Sequence, residues 1–495
     1  MKKAKIFADK NMQIGKVEDE MFGSFIEHLG RAVYEGIYEP DHPVADENGF
    51  RTDVIKLIQE LDVPVVRYPG GNFVSGYNWK DGIGPKKDRP TRLDYAWRTT
   101  ETNQFGTDEF MKWCKKAKIE PMMAVNLGTG TPQDAGYLVE YCNHKGNTYY
   151  SDLRKQNGSL EPYNVKYWCL GNEMDGPWQI CHLDAVDYSK KALETAKIMK
   201  WVDSDIKLVA CGSSSVDLNS YPDWDRIVLE NLYDHADYLS IHQYYWNEGV
   251  DNDFYASYKR MDDFIKTAIA TCDFVKAKKR SQKTVYLSFD EWNVWYLKHT
   301  KLEDWTQAPH ILEDIYTLQD AIVFGGLMNT LLNNCHRVKM ACLAQLVNVI
   351  APIFTQKGKE AIKQTTFYPF KYVSQYGRGH ALMTITQCDK FDSRYGKVKD
   401  LSESIIYDEN NNSLTVFVSN YSEKATDTEI ELRSFGELEV LEHIVLDGTD
   451  LKAVNDFDNP NKVAPKKADL GSIKDGKINI NLPPLSWNMI RIKIK

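Results

Sequence analysis

Two glutamates stand in matching surroundings far apart in the chain. Glu173 follows Val165-Lys166-Tyr167-Trp168-Cys169-Leu170 and opens Gly171-Asn172-Glu173-Met174-Asp175-Gly176-Pro177-Trp178. Glu291 follows Val285-Tyr286-Leu287-Ser288-Phe289 and opens Asp290-Glu291-Trp292-Asn293-Val294-Trp295. Each apolar run reads as a short buried strand, and Gly176 and Pro177 cannot continue one. Both carboxylates therefore belong at the carboxyl ends of strands, facing a cleft built by loops. Alone, either acid reads as a solvated loop residue. Two of them meeting across one cleft are the equipment of glycoside hydrolysis, in which one protonates the leaving oxygen while the other attacks the anomeric carbon; retention of configuration needs them about 5 to 5.5 Å apart.

Other strand ends supply polar groups. Glu27-His28, Arg67-Tyr68-Pro69-Gly70-Gly71-Asn72, Asn126, His242-Gln243-Tyr244-Tyr245, Gln345 and Asn348 together offer donors and acceptors suited to a molecule rich in hydroxyls. Arg67 reads as a buried ion-pair partner, and beside the attacking carboxylate it would keep that group ionised. Gly70-Gly71 lacks the Lys and Ser/Thr of a phosphate-binding loop. His28 and His242 lack metal-ligand spacing, so they are read as hydrogen-bonding groups near the site, with no metal and no cofactor.

The elements that must position these residues alternate strand and helix. Eight strands are expected at Met21 to Glu27, Val63 to Tyr68, Pro121 to Asn126, Val165 to Leu170, Lys207 to Cys211, Tyr238 to Gln243, Thr284 to Phe289 and Met340 to Leu346. Helices are expected at Arg51 to Leu61, Thr107 to Lys118, from Thr131-Pro132, and at Asp184 to Val202, Trp224 to Ala236, Phe254 to Lys279 and Ile311 to Asn333. This pattern is that of a (β/α)8 barrel over residues 15–385. A doubly wound sheet would want Gly-x-Gly-x-x-Gly after its first strand, and Phe22-Gly23-Ser24 offers none. Beyond residue 385 the segments alternate and are split by turns such as Glu409-Asn410-Asn411-Asn412, as in a β-sandwich. Its missing edge is expected to come from the N-terminal strands around Lys5-Ile6-Phe7-Ala8, giving a second, jelly-roll-like domain from residues 1–14 and 386–495.

The net charge of −9 argues against nucleic acid as a partner. Nine dispersed Cys without a Cys-x-x-Cys pair suit a reducing compartment, and Met1-Lys2-Lys3-Ala4-Lys5 leads into no apolar run, so neither a signal peptide nor a membrane span is expected and the protein is placed in the cytoplasm. Lys276-Ala277-Lys278-Lys279-Arg280 reads as cations at a helix end facing solvent.

Four stretches carry a family resemblance. Arg67-Tyr68-Pro69-Gly70-Gly71-Asn72-Phe73 with Tyr77-Asn78-Trp79, Gly171 to Gln179, Asp290 to Trp295, and Gln345-Leu346-Val347-Asn348-Val349-Ile350-Ala351-Pro352 resemble the motifs of α-L-arabinofuranosidases of glycoside hydrolase family 51. The resemblance implies a retaining, exo-acting enzyme of clan A that releases terminal arabinofuranose from arabino-oligosaccharides. It implies Glu173 as acid/base and Glu291 as nucleophile. Glu27, Asn72, Asn172, Tyr244 and Gln345 would hold the sugar, Trp97 and Trp295 would line its pocket, and the chain would form a homo-oligomer, a hexamer. Alternatives at this stage are another clan A retaining glycosidase, such as an endo-β-glucanase or β-xylosidase with an open groove, or a sugar-binding protein without turnover. The segment from Trp295 to His310 is expected to be a long loop that sets linkage preference.

Overall fold

The computed structural model describes residues 2–296, 305–474 and 476–495. Eight parallel strands close into a barrel: Gly23–Phe25, Val65–Tyr68, Glu120–Val125, Tyr167–Leu170, Lys207–Cys211, Tyr238–Tyr245, Tyr286–Val294 and Val338–Ala344. They coincide with the eight expected segments. The first is shorter than expected and opens on Gly23, where a Cβ would lie 2.7 Å from Val65 Cγ1 and 2.8 Å from the Ala341 carbonyl, so the two flanking strands leave room only for hydrogen. The sixth and seventh run further than expected, which puts Tyr244 and Glu291 inside strands rather than beyond them. Almost every residue of these strands is buried on both faces, as a parallel sheet covered by helices requires.

Helices Thr52–Leu61, Thr107–Ala117, Pro132–Asn143, Ala185–Val202, Asp223–Leu232, Ser257–Lys279 and Leu318–Asn333 form the outer ring. Thr131 caps its helix, accepting from the Asp134 amide with Pro132 in the first turn. The last helix begins at Leu318 and not at Ile311. Thr317 and Asp320 form a reciprocal cap there, and the segment before it is drawn toward the barrel mouth, where Leu312 takes a φ of 54° and its carbonyl accepts from the Ile350 amide at 2.8 Å. Three further helices, Tyr149–Gln156, Asp251–Tyr255 and Phe367–Tyr376, were not expected. The first has a narrow apolar face, Tyr150 and Leu153 against the core, and is further held by Arg154, whose guanidinium donates to the Tyr141 and His144 carbonyls.

Among the described residues ten further strands form one sheet, and six others pair as three two-stranded sheets. Strand Lys2–Val17 lies between Gly379–Gln387, antiparallel, and Thr426–Arg433, parallel. These strands pass the expected domain limits, one running beyond residue 14 and the other starting before residue 386. Alternation in the central strands serves two cores: Phe417 and Met489 join the barrel's core, while Val416, Val418 and Ile490 pack with Ala4, Ile6 and Ala8. Helix Leu318–Asn333 lies at the junction, with the Ser419 hydroxyl donating to the Ile322 carbonyl and Asn329 Nδ2 to the Ser402 carbonyl, both at 2.8 Å. Among the described residues no helix is long and apolar enough to cross a membrane.

Candidate active site

A cavity of about 500 Å³ opens at the carboxyl ends of the barrel strands. Glu173 and Glu291 line it from strands four and seven, together with Glu27, Asn72, Trp97, Tyr244, Trp295 and Gln345. Three predicted residues lie directly behind that wall. Arg67, His242 and Asn172 are buried and hold the residues that line the cavity.

Glu291 arrives through an irregularity in strand pairing. Ser288 faces Ser240 and Glu291 faces His242, so one more residue is threaded on the seventh strand than on the sixth. Strict alternation would send Asp290 and Glu291 to opposite faces. With the shift both meet Arg67, whose Nη1 donates to Glu291 Oε1 at 2.7 Å and whose Nε lies 3.5 Å from Asp290 Oδ2. Arg67 Nη2 donates to Asn172 Oδ1, and its guanidinium lies over the Phe25 ring at 4.7 Å. Tyr244 donates to the other carboxylate oxygen, Glu291 Oε2, at 2.8 Å.

Glu173 stands just past its strand with φ of 43°, a left-handed conformation unusual for a residue with a side chain. Its Oε2 accepts from Trp178 Nε1 at 2.6 Å, and its Oε1 lies 2.8 Å from His242 Nδ1. His242 also lies 3.6 Å from Glu291 Oε2, and its Nε2 faces Asp290 Oδ1 at 3.4 Å. Burial alone would lower the imidazole pKa, but Glu291, Asp290 and Glu173 surround it and raise it to about 10. These carboxylates favour the protonated form of His242, which sits between the two glutamates. An oxygen of each glutamate and a ring nitrogen of His242 lie within 4.8 Å of one another. Among the described residues these three also form the cluster spaced as metal ligands could be.

The charges behind the cavity follow from the same contacts. Burial would raise Asp290, yet Arg67 and then His242 and Ser240 carry it below the ordinary carboxylate value. Burial raises Glu291 and Glu173 adds to it, while His242 and Arg67 oppose the rise. On the opposite wall Glu27 accepts from the Phe73 amide at 2.8 Å and Trp97 Nε1 at 2.9 Å, and Gln345 Oε1 accepts from its amide at 3.1 Å. Burial pushes the Glu27 carboxyl up to about 8. Gly71 is required here, because the Glu27 carboxylate occupies the space any Cβ would need.

Not every polar strand end reaches the cavity. Asn126 donates to the Tyr77 carbonyl, Asn348 pairs with Thr355, and His28 lies between Tyr68 and Glu101. Conversely, Trp178, Ser214, Ser215, Asp217 and Trp246 line the cavity without having been singled out. Trp178 carried a signal, being an aromatic just after a strand-end glutamate. The others sit on loops whose sequence has no pattern. Of the loop from Trp295 to His310, residues 297–304 lie outside the described residues. Beyond them Thr306 bridges to Thr99, so that this segment meets the hairpin carrying Trp97.

Comparison with known proteins agrees with this geometry. Residues 57–266 match a family model described as α-L-arabinofuranosidase 1 domain, and residues 290–486 match the α-L-arabinofuranosidase C-terminal domain. An intracellular exo-α-(1→5)-L-arabinofuranosidase 1 of Bacillus subtilis is 53% identical over 100% of this chain and 99% of its own. An exo-α-(1→6)-L-arabinofuranosidase of Bifidobacterium longum is 43% identical over 100% and 98%. A solved family 51 α-L-arabinofuranosidase from Bifidobacterium longum superposes with a TM-score of 0.95 at 41% identity, covering 99% of both chains. Full-length likeness of this degree, on a barrel whose fourth and seventh strands bring two glutamates together, makes the chain a glycoside hydrolase, a member of the family 51 α-L-arabinofuranosidases.

Proposed function

We propose that this enzyme removes terminal arabinofuranose from the non-reducing ends of arabino-oligosaccharides by two displacements with net retention. The observation that carries the reading is the separation of Glu173 and Glu291, with an oxygen of each inside 4.8 Å. So close an approach of two carboxylate oxygens supports the narrow pair of a retaining enzyme over the wider pair that an inverting enzyme holds around a water. In the first step Glu291 attacks the anomeric carbon as the glycosidic bond breaks, and Glu173 gives its proton to the leaving oxygen. The product of that step is an ester to Glu291. Water then attacks the same carbon, Glu173 takes its proton, and the ester bond breaks to free arabinose.

The neighbours suit these roles. Arg67 and Tyr244 each hold one oxygen of Glu291, fixing its plane and favouring its charged form. Glu27, Asn72, Gln345 and, through Arg67, Asn172 are assigned to grip or frame the sugar, with Trp97 and Trp295 as its apolar walls. A walled cavity favours release of terminal units over attack within a chain. The division into a barrel and a sandwich made from both chain ends is proposed with it, supported by the pairing of Lys2–Val17 with late strands. Relatives named as intracellular support action in the cytoplasm on imported oligosaccharides, and a homo-oligomer, a hexamer, is proposed from the family resemblance; light scattering tests the latter.

The deciding experiment is hydrolysis of 4-nitrophenyl glycosides by the wild type and by Glu291→Ala. Turnover of the α-L-arabinofuranoside, with the product first formed in the α-configuration and lost in the variant, is expected. Preference for a β-pyranoside, or inversion, overturns the reading.

A further inference from the structure

The proton donor fixes the side on which the leaving group lies. Glu173 shares its stretch of cavity wall with Trp178, Ser214, Ser215, Asp217 and Trp246, whereas Glu27, Trp97 and Gln345 close the other side. Asp217 and Trp246 also line a second cavity of about 530 Å³, so the two spaces meet at these residues. Tyr221 and Arg260 form part of its wall, and Arg394 and Tyr395 enter from the turn of a hairpin, Lys390–Ser393 with Gly396–Lys399.

That hairpin follows the barrel in sequence yet is fastened onto the segment after barrel strand six. The Arg394 amide donates to Asp253 Oδ1 at 2.7 Å and its Nε to Asp253 Oδ2 at 2.9 Å. Asn252 Nδ2 donates to the Asp392 carbonyl at 3.2 Å, and the Tyr258 hydroxyl to the Lys399 carbonyl at 3.0 Å. Every cation lining the second cavity is engaged. Arg260 donates twice to Asp217, at 2.7 and 2.6 Å, and Arg394 bonds Glu248 and Asp253. A charged ligand would have to break these pairs, so the lining suits a neutral one. Half-buried rings of Trp246, Tyr221 and Tyr395 line it, with the Arg260 and Arg394 guanidiniums each 5.7 Å from the Tyr395 ring centre. Planar rings beside fixed donors and acceptors are a setting for a sugar.

We propose that the second cavity is a subsite for the residues of a linear, neutral arabino-oligosaccharide beyond the leaving unit, with Tyr395 as its platform. This rests on the arabinofuranosidase reading above and names the substrate as three or more residues long.

The test compares kcat/KM on 4-nitrophenyl α-L-arabinofuranoside and on α-(1→5)-linked arabinobiose, arabinotriose and arabinotetraose, for the wild type, Tyr395→Ala and Tyr395→Phe. The wild type is expected to gain about fivefold from biose to triose, equivalent to about 1 kcal/mol. Tyr395→Ala loses that gain while its aryl glycoside and biose rates stay within about twofold, which also reports a folded enzyme. Tyr395→Phe keeps the gain. Normal aryl glycoside turnover with no gain in the wild type, or equal losses by Tyr395→Ala on all substrates, overturns the subsite alone. No aryl glycoside turnover in the wild type overturns both readings.

Discussion

Arg67 and Glu291 come from the second and seventh barrel strands and form a buried ion pair, Nη1 to Oε1, at 2.7 Å. The same guanidinium binds Asn172 and faces Asp290, so one cation organises the proposed nucleophile, its neighbour and a proposed sugar-framing amide. Arg67→Met should therefore cost kcat/KM more than about a hundredfold. It should also destabilise the fold by about 3 to 5 kcal/mol, since it leaves buried carboxylates without their partner. Kinetics and thermal denaturation check both, and a stable variant active to within a few fold would remove Arg67 from its assigned task.

Glu173→Ala should separate substrates by leaving group. A nitrophenolate departs without protonation, whereas a sugar alkoxide needs the acid. The loss on arabino-oligosaccharides should exceed the loss on the nitrophenyl glycoside by at least about tenfold. Equal losses on both would end the acid assignment.

Tyr244→Phe deletes the hydrogen bond to Glu291 Oε2 and little else. Bonds to charged groups contribute about 1.5 to 3 kcal/mol, so kcat/KM should fall between about tenfold and a hundredfold. If the hydroxyl serves only substrate affinity, KM alone will rise and kcat will stay, which contradicts the alignment role.

His242 ties stability to pH. Its pKa is about 10 in the fold and 6.5 ordinarily, so its stabilising contribution is complete below about 6.5 and disappears as pH climbs to about 10. The Tm deficit of His242→Gln should accordingly be largest near pH 6 and shrink toward pH 10. A deficit that stays constant over that range would mean the ring is neutral in the folded protein.

Glu27 has the same sense over a lower pH range. Its carboxyl, ordinarily at 4.5, is raised to about 8 by burial, so the folded chain holds a proton the unfolded chain has released and wild-type stability falls as pH rises from 4.5 to 8. Glu27→Gln carries no such proton. Its Tm relative to wild type should rise between pH 5 and pH 8 and level off above; a flat difference would place the Glu27 pKa at its ordinary value.

The barrel was legible because strands buried on both faces must be apolar throughout, and the chemistry was legible because Glu173 and Glu291 repeat one arrangement of strand, acid and aromatics. Helix Tyr149–Gln156 escaped because its apolar face is only Tyr150 and Leu153, and the polar contacts of Arg154 that also hold it leave no periodic pattern. The start at Leu318 escaped because Ile311 to Tyr316 continues the helical spacing while Leu312 turns to line the cavity. Ser214, Asp217 and Trp246 could not be foreseen, since loop residues gain their neighbours only once the barrel closes. The reach of Arg67 to both Asp290 and Glu291 depends on a pairing shift that no local pattern announces.

Strand Lys2–Val17 has its sheet neighbours at Gly379–Gln387 and Thr426–Arg433. During synthesis it emerges before nearly the whole barrel, and at ordinary elongation rates its partners follow on the order of tens of seconds later. The barrel can assemble in that interval, but the sandwich cannot close until the far end of the chain is made. Throughout that wait the nascent chain carries an unpaired strand edge, a template for aggregation. Ribosomal pausing or premature termination beyond the barrel would thus expose the beginning of the protein, not merely shorten its end.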